Sequence, residues 1–535
     1  MKILDLQKTK KAKSYGQFFT PEHVADFMVS LITKSKESFI IEPSSGEGVF
    51  LKALEKKNFK NVQGYEIDSE LIKKVDSEKV KNESFLCHKR EAGCDVIIGN
   101  PPYVRWKNLD KKLKNELQTN KVWNTVFNNL CDYLYIFIHK AVELLNEEGE
   151  LIFITPEYWF NTKHSQALRN YLAANGYFEK IFHFNETPIF EKVTSSIIIF
   201  KYIKQKLHKT KQISVWKYKG YKRLSFSDLS AMMSSDKVDN TDKFQRDQFG
   251  KGNPWLLIPN KLEAELKELE VKCTEIIEDQ IIPDEKNYAK LSDIADIGNG
   301  MVSGLDRVFQ IGNDLKLTKK EIHSTIRVIK AKHLSQFYFS NVTNYIFLNK
   351  KVSTENELKE DYPNFYKQLQ PFKAELDKRY RYSSKLNYWD WAFPRSLSLF
   401  SGAKSSIFVP CKERISHKNY FRFCYVDACN FPTQDVTSIV LKKEAKESIF
   451  YVLGYLNSEI VFSWLIEKGV RKGNIIEFSE KPLASIPVKR INWSREEDIK
   501  MHDNVVEISK RIIKTKDISF MQEINRILHK YFSKG

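Results

Sequence analysis

Apolar and polar positions along the first 205 residues repeat as strand, turn and helix. Phe39-Ile40-Ile41 is a short apolar run that ends at Glu42 and enters Pro43-Ser44-Ser45-Gly46-Glu47-Gly48, after which Val49-Phe50-Leu51 opens a helix. Asn61 to Asp68 repeats the pattern and ends in carboxylates, with Glu66 lying 24 residues after Glu42. Val96-Ile97-Ile98 reads as a buried parallel strand that stops abruptly at Gly99-Asn100-Pro101-Pro102-Tyr103. Asp132 to Leu145 predicts a long apolar helix, and Gly149 to Pro156 and Ile197 to Phe200 predict further buried strands. Ahead of them all, Val24, Phe27, Met28 and Leu31 share one face of an amphipathic helix, with Thr20 as its N-cap and Pro21 at its first position. Strands alternating with helices predict an α/β domain with a parallel sheet.

The pattern changes after about residue 204. Ser234 to Lys243 is polar and of low complexity, which predicts a domain over 1–235, a linker over 236–255 and a second domain over 256–535. A charged helix near 260–272 precedes a glycine-punctuated, strand-rich region that opens at Ile294-Ala295-Asp296-Ile297-Gly298-Asn299-Gly300. Residues 371–395 concentrate cations and flat rings, namely Lys378, Arg379, Tyr380, Arg381, Tyr382, Tyr388, Trp389, Trp391 and Arg395, a mixture suited to DNA contact or to a core beside surface charge. A helical tail is expected over about 495–533.

Charge narrows the partners. Lys and Arg number 86 against 68 Asp and Glu, and a net +18 favours a polyanion, whose condensed counterions are released on binding. Residues 1–13 read as a basic arm, and 107–123 form a basic segment directly after the Pro-Pro turn, which would either grip phosphates or be a solvated helix face. No run approaches the ~18 uninterrupted apolar residues of a membrane span. Met1-Lys2-Ile3-Leu4-Asp5 lacks the apolar core of a signal peptide, so a cytoplasmic protein is expected. The seven cysteines include no Cys-x-x-Cys pair, so buried reduced thiols are expected rather than a zinc site or disulfides.

The chemistry concentrates at the predicted strand ends. Two consecutive prolines remove two N–H donors, leaving the Asn100 amide oxygen, the Pro101 carbonyl and the Tyr103 ring as two acceptors and a π-face, which suits an exocyclic amino group on a flat ring. Gly46 and Gly48 let a backbone approach a ligand, and an acidic strand end repels phosphate, while Glu42 suits an ammonium group. An acidic side chain at the tip of the second strand, Glu66, is placed for ribose hydroxyls, with Asp68 more suited to capping the next helix.

Asn100-Pro101-Pro102-Tyr103 resembles motif IV of the amino-methyltransferases; the first motif, Gly16-Gln17-Phe18-Phe19-Thr20-Pro21-Glu22 at the start of the amphipathic helix, resembles motif X, and the strand ends between them resemble motifs I, II and III, of the γ-type adenine-N6 DNA methyltransferases of type II restriction–modification systems. The resemblance covers roughly residues 14–202 and is loose beyond. It implies a Rossmann-like S-adenosylmethionine-dependent methyltransferase domain followed by a mixed α+β DNA target-recognition domain. It further implies Thr20, Glu42, Ser44, Gly46, Gly48, Glu66, Ile67, Ser84, Phe85 and Asn100 around S-adenosylmethionine. Asn100, Pro101, Pro102 and Tyr103 would hold a flipped-out adenine of double-stranded DNA, with Phe190 facing Tyr103 across the base. Ser84-Phe85 stands where the family has Asp-Phe, so a hydroxyl must replace a carboxylate as partner of the cofactor's adenine amino group. A cognate restriction endonuclease acting separately is the implied partner. An RNA or protein-glutamine N-methyltransferase, or a DNA-binding subunit without turnover, would share parts of this pattern.

Overall fold

The computed structural model describes residues 19–532 except 74, 76–77, 89–92, 186, 188, 191–195, 206–210, 221, 235–238, 275–287, 313–314, 380–385, 403, 416–419 and 473–474. The N-terminal basic arm and residues 16–18 of the first motif lie outside the described residues. The chain divides into two units, Met1–Ala264 and Glu265–Gly535.

The first unit is built on a nine-stranded sheet: β1 (Ile40–Glu42), β2 (Val62–Tyr65), β3 (Val80–Lys81), β4 (Cys94–Gly99), β5 (Leu145–Pro156), β6 (Gly176–His183), β7 (Ile197–Lys204), β8 (Ile213–Tyr218) and β9 (Thr241–Arg246). Their order in space is β3-β2-β1-β4-β5-β7-β6-β8-β9. Strands β1 to β5 run parallel to one another, whereas β7 runs antiparallel between β5 and β6. Chain order reverses between β1 and β4, and the carboxyl ends of strands beside such a switch point form a crevice. The apolar run of β4 is continuous because both faces are covered. Val96 and Ile98 pack with Phe27, Met28 and Ile40 on one face, and Ile97 with Leu134, Phe137 and Val142 on the other.

Helix Glu22–Ser30 carries the expected apolar stripe, with Val24, Phe27 and Met28 buried, but Pro21 occupies its cap position and no side chain caps it. The helix Tyr133–Leu144 is started by Asp132, whose carboxylate accepts from the Leu134 N–H at 3.1 Å. The stretch expected to be a linker instead contains β9, which pairs antiparallel with β8 from Ile213↔Arg246 to Tyr218↔Thr241. An edge strand needs only backbone partners along one side, so Thr-Asp-Lys-Phe-Gln-Arg can be polar and still join the sheet.

The second unit combines small sheets with helices. Strand Ala295–Asn299 pairs with Val436–Leu441, which pairs in turn with Ser406–Pro410. The chain closes on helices Glu496–Thr515 and Met521–Phe532. Among the described residues no single helix is long and apolar enough to cross a membrane.

Candidate active site

The turns after β1, β2 and β4 wall two cavities that share Phe19, Ser44, Gly46 and Asn100. The first spans about 630 Å³, part of it open to solvent, and its aromatic part is formed by Tyr65, Phe85, Tyr133 and Phe137. The second spans about 620 Å³, likewise partly open, and is walled by Thr20, Glu42, Ser45 and Lys52. Gly46 has φ +52°, a left-handed conformation that leaves the backbone bare at the shared wall. Gly48 (φ +76°) caps the following helix from behind the cavities and so shapes the turn rather than their surface.

Glu42 is the most unusual group here. Its carboxyl is fully buried, and among the described residues neither oxygen has a hydrogen-bond partner of ordinary geometry. Burial, and then the nearby Glu66, push its pKa well above the usual carboxylate range. Glu66 is held differently. Its Oε2 accepts from the Gly46 N–H and its Oε1 from the Asp68 N–H, both at 2.8 Å, which fixes the carboxylate on the floor of the first cavity beside Ile67. Burial raises its pKa, and those two bonds partly offset the rise. Asp68 caps the helix starting at Ser69, as its position suggested.

Asn100 leaves β4 at the junction of both cavities. Its backbone carbonyl accepts from the Ser44 hydroxyl at 2.8 Å, and its Nδ2 donates to Thr20 Oγ1 at 3.1 Å. Among the described residues no donor reaches the Pro101 carbonyl. Pro102 lines the first cavity. The Tyr103 ring packs against the core beneath, and its buried hydroxyl, beside the Asn100 side chain, is pushed far above its ordinary pKa by that burial.

Residues 23–190 match the family described as Eco57I restriction-modification methylase. The chain is 43% identical over 527 residues to the type II methyltransferase M.HindII of Haemophilus influenzae, covering 98% of this chain and 99% of that one. It is 42% identical over 525 residues to M.HincII of the same species, with the same coverage. This chain belongs to the type II DNA methyltransferases of restriction–modification systems. Its fold extends to a solved type IIL restriction–modification enzyme, MmeI in complex with DNA, at a TM-score of 0.56 and 12% identity over 96% of this chain and 72% of that one.

Two expectations change in the methyltransferase's structure. Ser84 lines neither cavity; its hydroxyl donates to Glu116 Oε1 at 2.5 Å and accepts from the Leu86 N–H at 3.3 Å. With its proton and a lone pair taken, Ser84 is poorly suited to serve a ligand amino group, and it is Glu83 and Phe85 that face the first cavity. Phe190 is 3% exposed and packs in the cluster containing Phe27 and Phe182, whereas Tyr103 packs against the cluster on the opposite face of the sheet. Its apolar ring is satisfied in the core, so the two rings do not face each other in this conformation. In the second unit, the described part of the cation-rich aromatic stretch follows the reading of a core beside surface charge. Tyr388, Trp389 and Trp391 are buried, and Arg379 donates to the carbonyls of Leu376, Ser303, Asp390, Asn387 and Tyr388. Tyr380, Arg381 and Tyr382 lie outside the described residues, while Lys378 and Arg395 are exposed.

Sequence reasoning missed Tyr133, Phe137 and Glu116. The first two belong to a helix that reads as scaffold, and only its position after the Pro-Pro turn hinted at a cavity wall. Glu116 sits in the basic segment after that turn, on the helix Lys111–Thr119, whose apolar positions Leu113 and Leu117 are buried and whose Lys111 and Lys112 are exposed.

Proposed function

We propose that this methyltransferase transfers the methyl group of S-adenosylmethionine to N6 of an adenine flipped out of double-stranded DNA, at one short sequence, protecting host DNA from a separately acting endonuclease. The observation that carries this reading is the turn after β4, which puts Asn100 and Pro102 on a cavity wall and whose Pro101 carbonyl, among the described residues, takes no donor.

The residues present suit the cofactor. At Glu42, a buried carboxyl that has no hydrogen-bond partner of ordinary geometry among the described residues fits an ammonium group, the fixed carboxylate of Glu66 fits a ribose diol, and the slot between Ile67, Phe85, Tyr133 and Phe137 fits a flat ring. When bound, S-adenosylmethionine supplies an electrophilic methyl group on a sulfonium centre. Adenine N6 is a weak nucleophile because its lone pair is delocalised into the ring. Asn100 Oδ1 and the Pro101 carbonyl would accept its two hydrogens, localise the pair and stabilise the positive charge that develops on nitrogen. The face of Tyr103 would replace a stacking neighbour and add a π-surface beside that charge. The net charge of +18 and the DNA complex of the structurally similar MmeI favour a nucleic-acid substrate.

The test is methylated-base mapping in a methylation-free host expressing this chain, beside Asn100→Ala. N6-methyladenine at one short motif, reduced at least ~100-fold in the variant, is expected. Unmodified DNA from a protein that still binds S-adenosylmethionine would redirect the reading to RNA or protein.

A further inference from the structure

Thr20 stands where a helix cap was expected and does not cap. Helix Glu22–Ser30 begins after Pro21, and the Thr20 side chain, 8% exposed, reaches across the sheet edge so that Oγ1 accepts from Asn100 Nδ2 at 3.1 Å. Among the described residues nothing accepts the Thr20 O–H, and Thr20 lines the second cavity together with Glu42 and Lys52.

A carboxamide has nearly the same shape when its oxygen and nitrogen are exchanged, but only one orientation presents an acceptor to an incoming amine. A threonine hydroxyl alone does not choose between them, because it can accept from Nδ2 or donate to Oδ1. It chooses once its own proton is committed elsewhere. The second cavity is walled by the buried carboxyl of Glu42 and by Lys52, groups that suit the ammonium and the carboxylate of a zwitterionic amino acid. On the proposed reading this is the amino acid end of S-adenosylmethionine, whose carboxylate can only accept.

We infer that Thr20 is a positioning residue that couples the cofactor carboxylate to the catalytic amide: donating its proton to that carboxylate leaves Oγ1 as an acceptor, which holds Nδ2 of Asn100 and turns Oδ1 toward the target amine. The cofactor's amino acid end thereby sets the polarity of a group that acts on the DNA base. Ser44, by donating to the Asn100 backbone carbonyl at 2.8 Å, fixes the backbone about which that amide turns.

The experiment is single-turnover methylation at saturating DNA and cofactor, with S-adenosylmethionine and with its decarboxylated analogue, for wild type, Thr20→Val and Thr20→Ser. Wild type should transfer roughly tenfold faster from the carboxylate-bearing cofactor, the worth of about one hydrogen bond. Thr20→Val should be slow with both cofactors and no longer distinguish them, and Thr20→Ser should restore the difference. Calorimetry gives a readout independent of turnover: Thr20→Val should weaken S-adenosylhomocysteine several-fold and leave its decarboxylated analogue unchanged. If Thr20→Val loses cofactor affinity but keeps the full rate at saturation, Thr20 only holds the cofactor and the inference fails. If Asn100→Ala keeps the wild-type rate, the catalytic reading itself fails, whatever Thr20 does.

Discussion

Glu42→Gln should make the empty methyltransferase more stable and its cofactor complex weaker. Glu42 ends β1 with a fully buried carboxyl, no partner at ordinary hydrogen-bond geometry, and a pKa raised by burial first and by Glu66 second. The folded state therefore binds this proton more tightly than the unfolded state does. Stability is fully present at pH values below the ordinary carboxyl value of 4.5 and declines as pH rises from there toward the folded pKa. Glutamine keeps the shape and removes the titration. Relieving an uncompensated buried group of this kind is worth about 1–3 kcal/mol, and each kcal/mol moves the melting point of a unit this size by roughly 2–4 °C. Binding reverses the sign. An ammonium entering the cavity draws the proton off Glu42 and makes a buried ion pair, whose loss in the variant costs about 2–5 kcal/mol, or a 30-fold or greater weakening. Thermal melts from pH 4 to 8, with and without S-adenosylmethionine, read both effects. The variant's advantage when empty should vanish near pH 4, and its ligand-induced shift should shrink at every pH above that. Calorimetry of the wild type in buffers of different ionisation enthalpy should show proton release on binding. A variant that melts below wild type at pH 7.5, or binds the cofactor within twofold of it, would refute the reasoning.

Two further outcomes concern buried charge away from the cavities. In the second unit the Glu321 carboxylate is fully buried and accepts from the Thr318 N–H, the Asn364 N–H and side chain, all at 2.8 Å, and the Phe365 N–H at 3.3 Å. Burial raises its pKa but these donors lower it more, so it contributes stability above the ordinary value of 4.5 that is lost as pH falls through its lowered folded value. Glu321→Ala should cost about 3 kcal/mol in urea unfolding at pH 7, with the gap to wild type closing toward pH 3. In the first unit the Lys201 ammonium is fully buried, 3.0 Å from Glu150 Oε1 and from Glu179 Oε2, and donates to the Leu31 carbonyl at 3.0 Å. Lys201→Ala strands the buried Glu150 carboxylate and should cost about 3–5 kcal/mol, whereas Lys201→Met with Glu150→Gln should recover most of it in the same unfolding assay.

Much of the fold was legible because its parallel strands are buried on both faces and so read as continuous apolar runs bounded by Gly, Pro and acidic residues. Val96-Ile97-Ile98 ahead of Gly99-Asn100 is such a run, and both of its faces are covered. β9 was not legible for the converse reason. Its residues are mostly partly or fully exposed, and an edge strand joined by backbone bonds leaves no apolar period to read. The unit boundary consequently falls between Ala264 and Glu265, beyond the polar stretch at 234–243. The Arg and aromatic cluster at 371–395 was ambiguous in composition: five carbonyls around Arg379 satisfy a buried guanidinium as well as phosphates would, and composition does not distinguish the two.

The site divides along the same line, between what neighbours in sequence specify and what neighbours in space specify. Asn100, Pro101 and Pro102 announce their acceptors because three contiguous residues and the missing proline N–H groups decide which atoms a turn can offer. The Asn100 side chain finds its hydroxyl partner 80 residues away at Thr20, and the Ser84 hydroxyl is taken by a carboxylate 32 residues away at Glu116. Neither partner belongs to a local pattern around the residue it contacts, since a threonine before proline predicts a helix cap and a glutamate among lysines predicts a solvated helix. Hydroxyls compound the difficulty, because they donate or accept according to their surroundings. Ser44 donates to Asn100 while Thr20 accepts from it, and residue type alone gives no sign of the difference. The chemistry a site offers can thus be read from a strand end, while the polarity with which it is offered follows from long-range contacts that only folding creates.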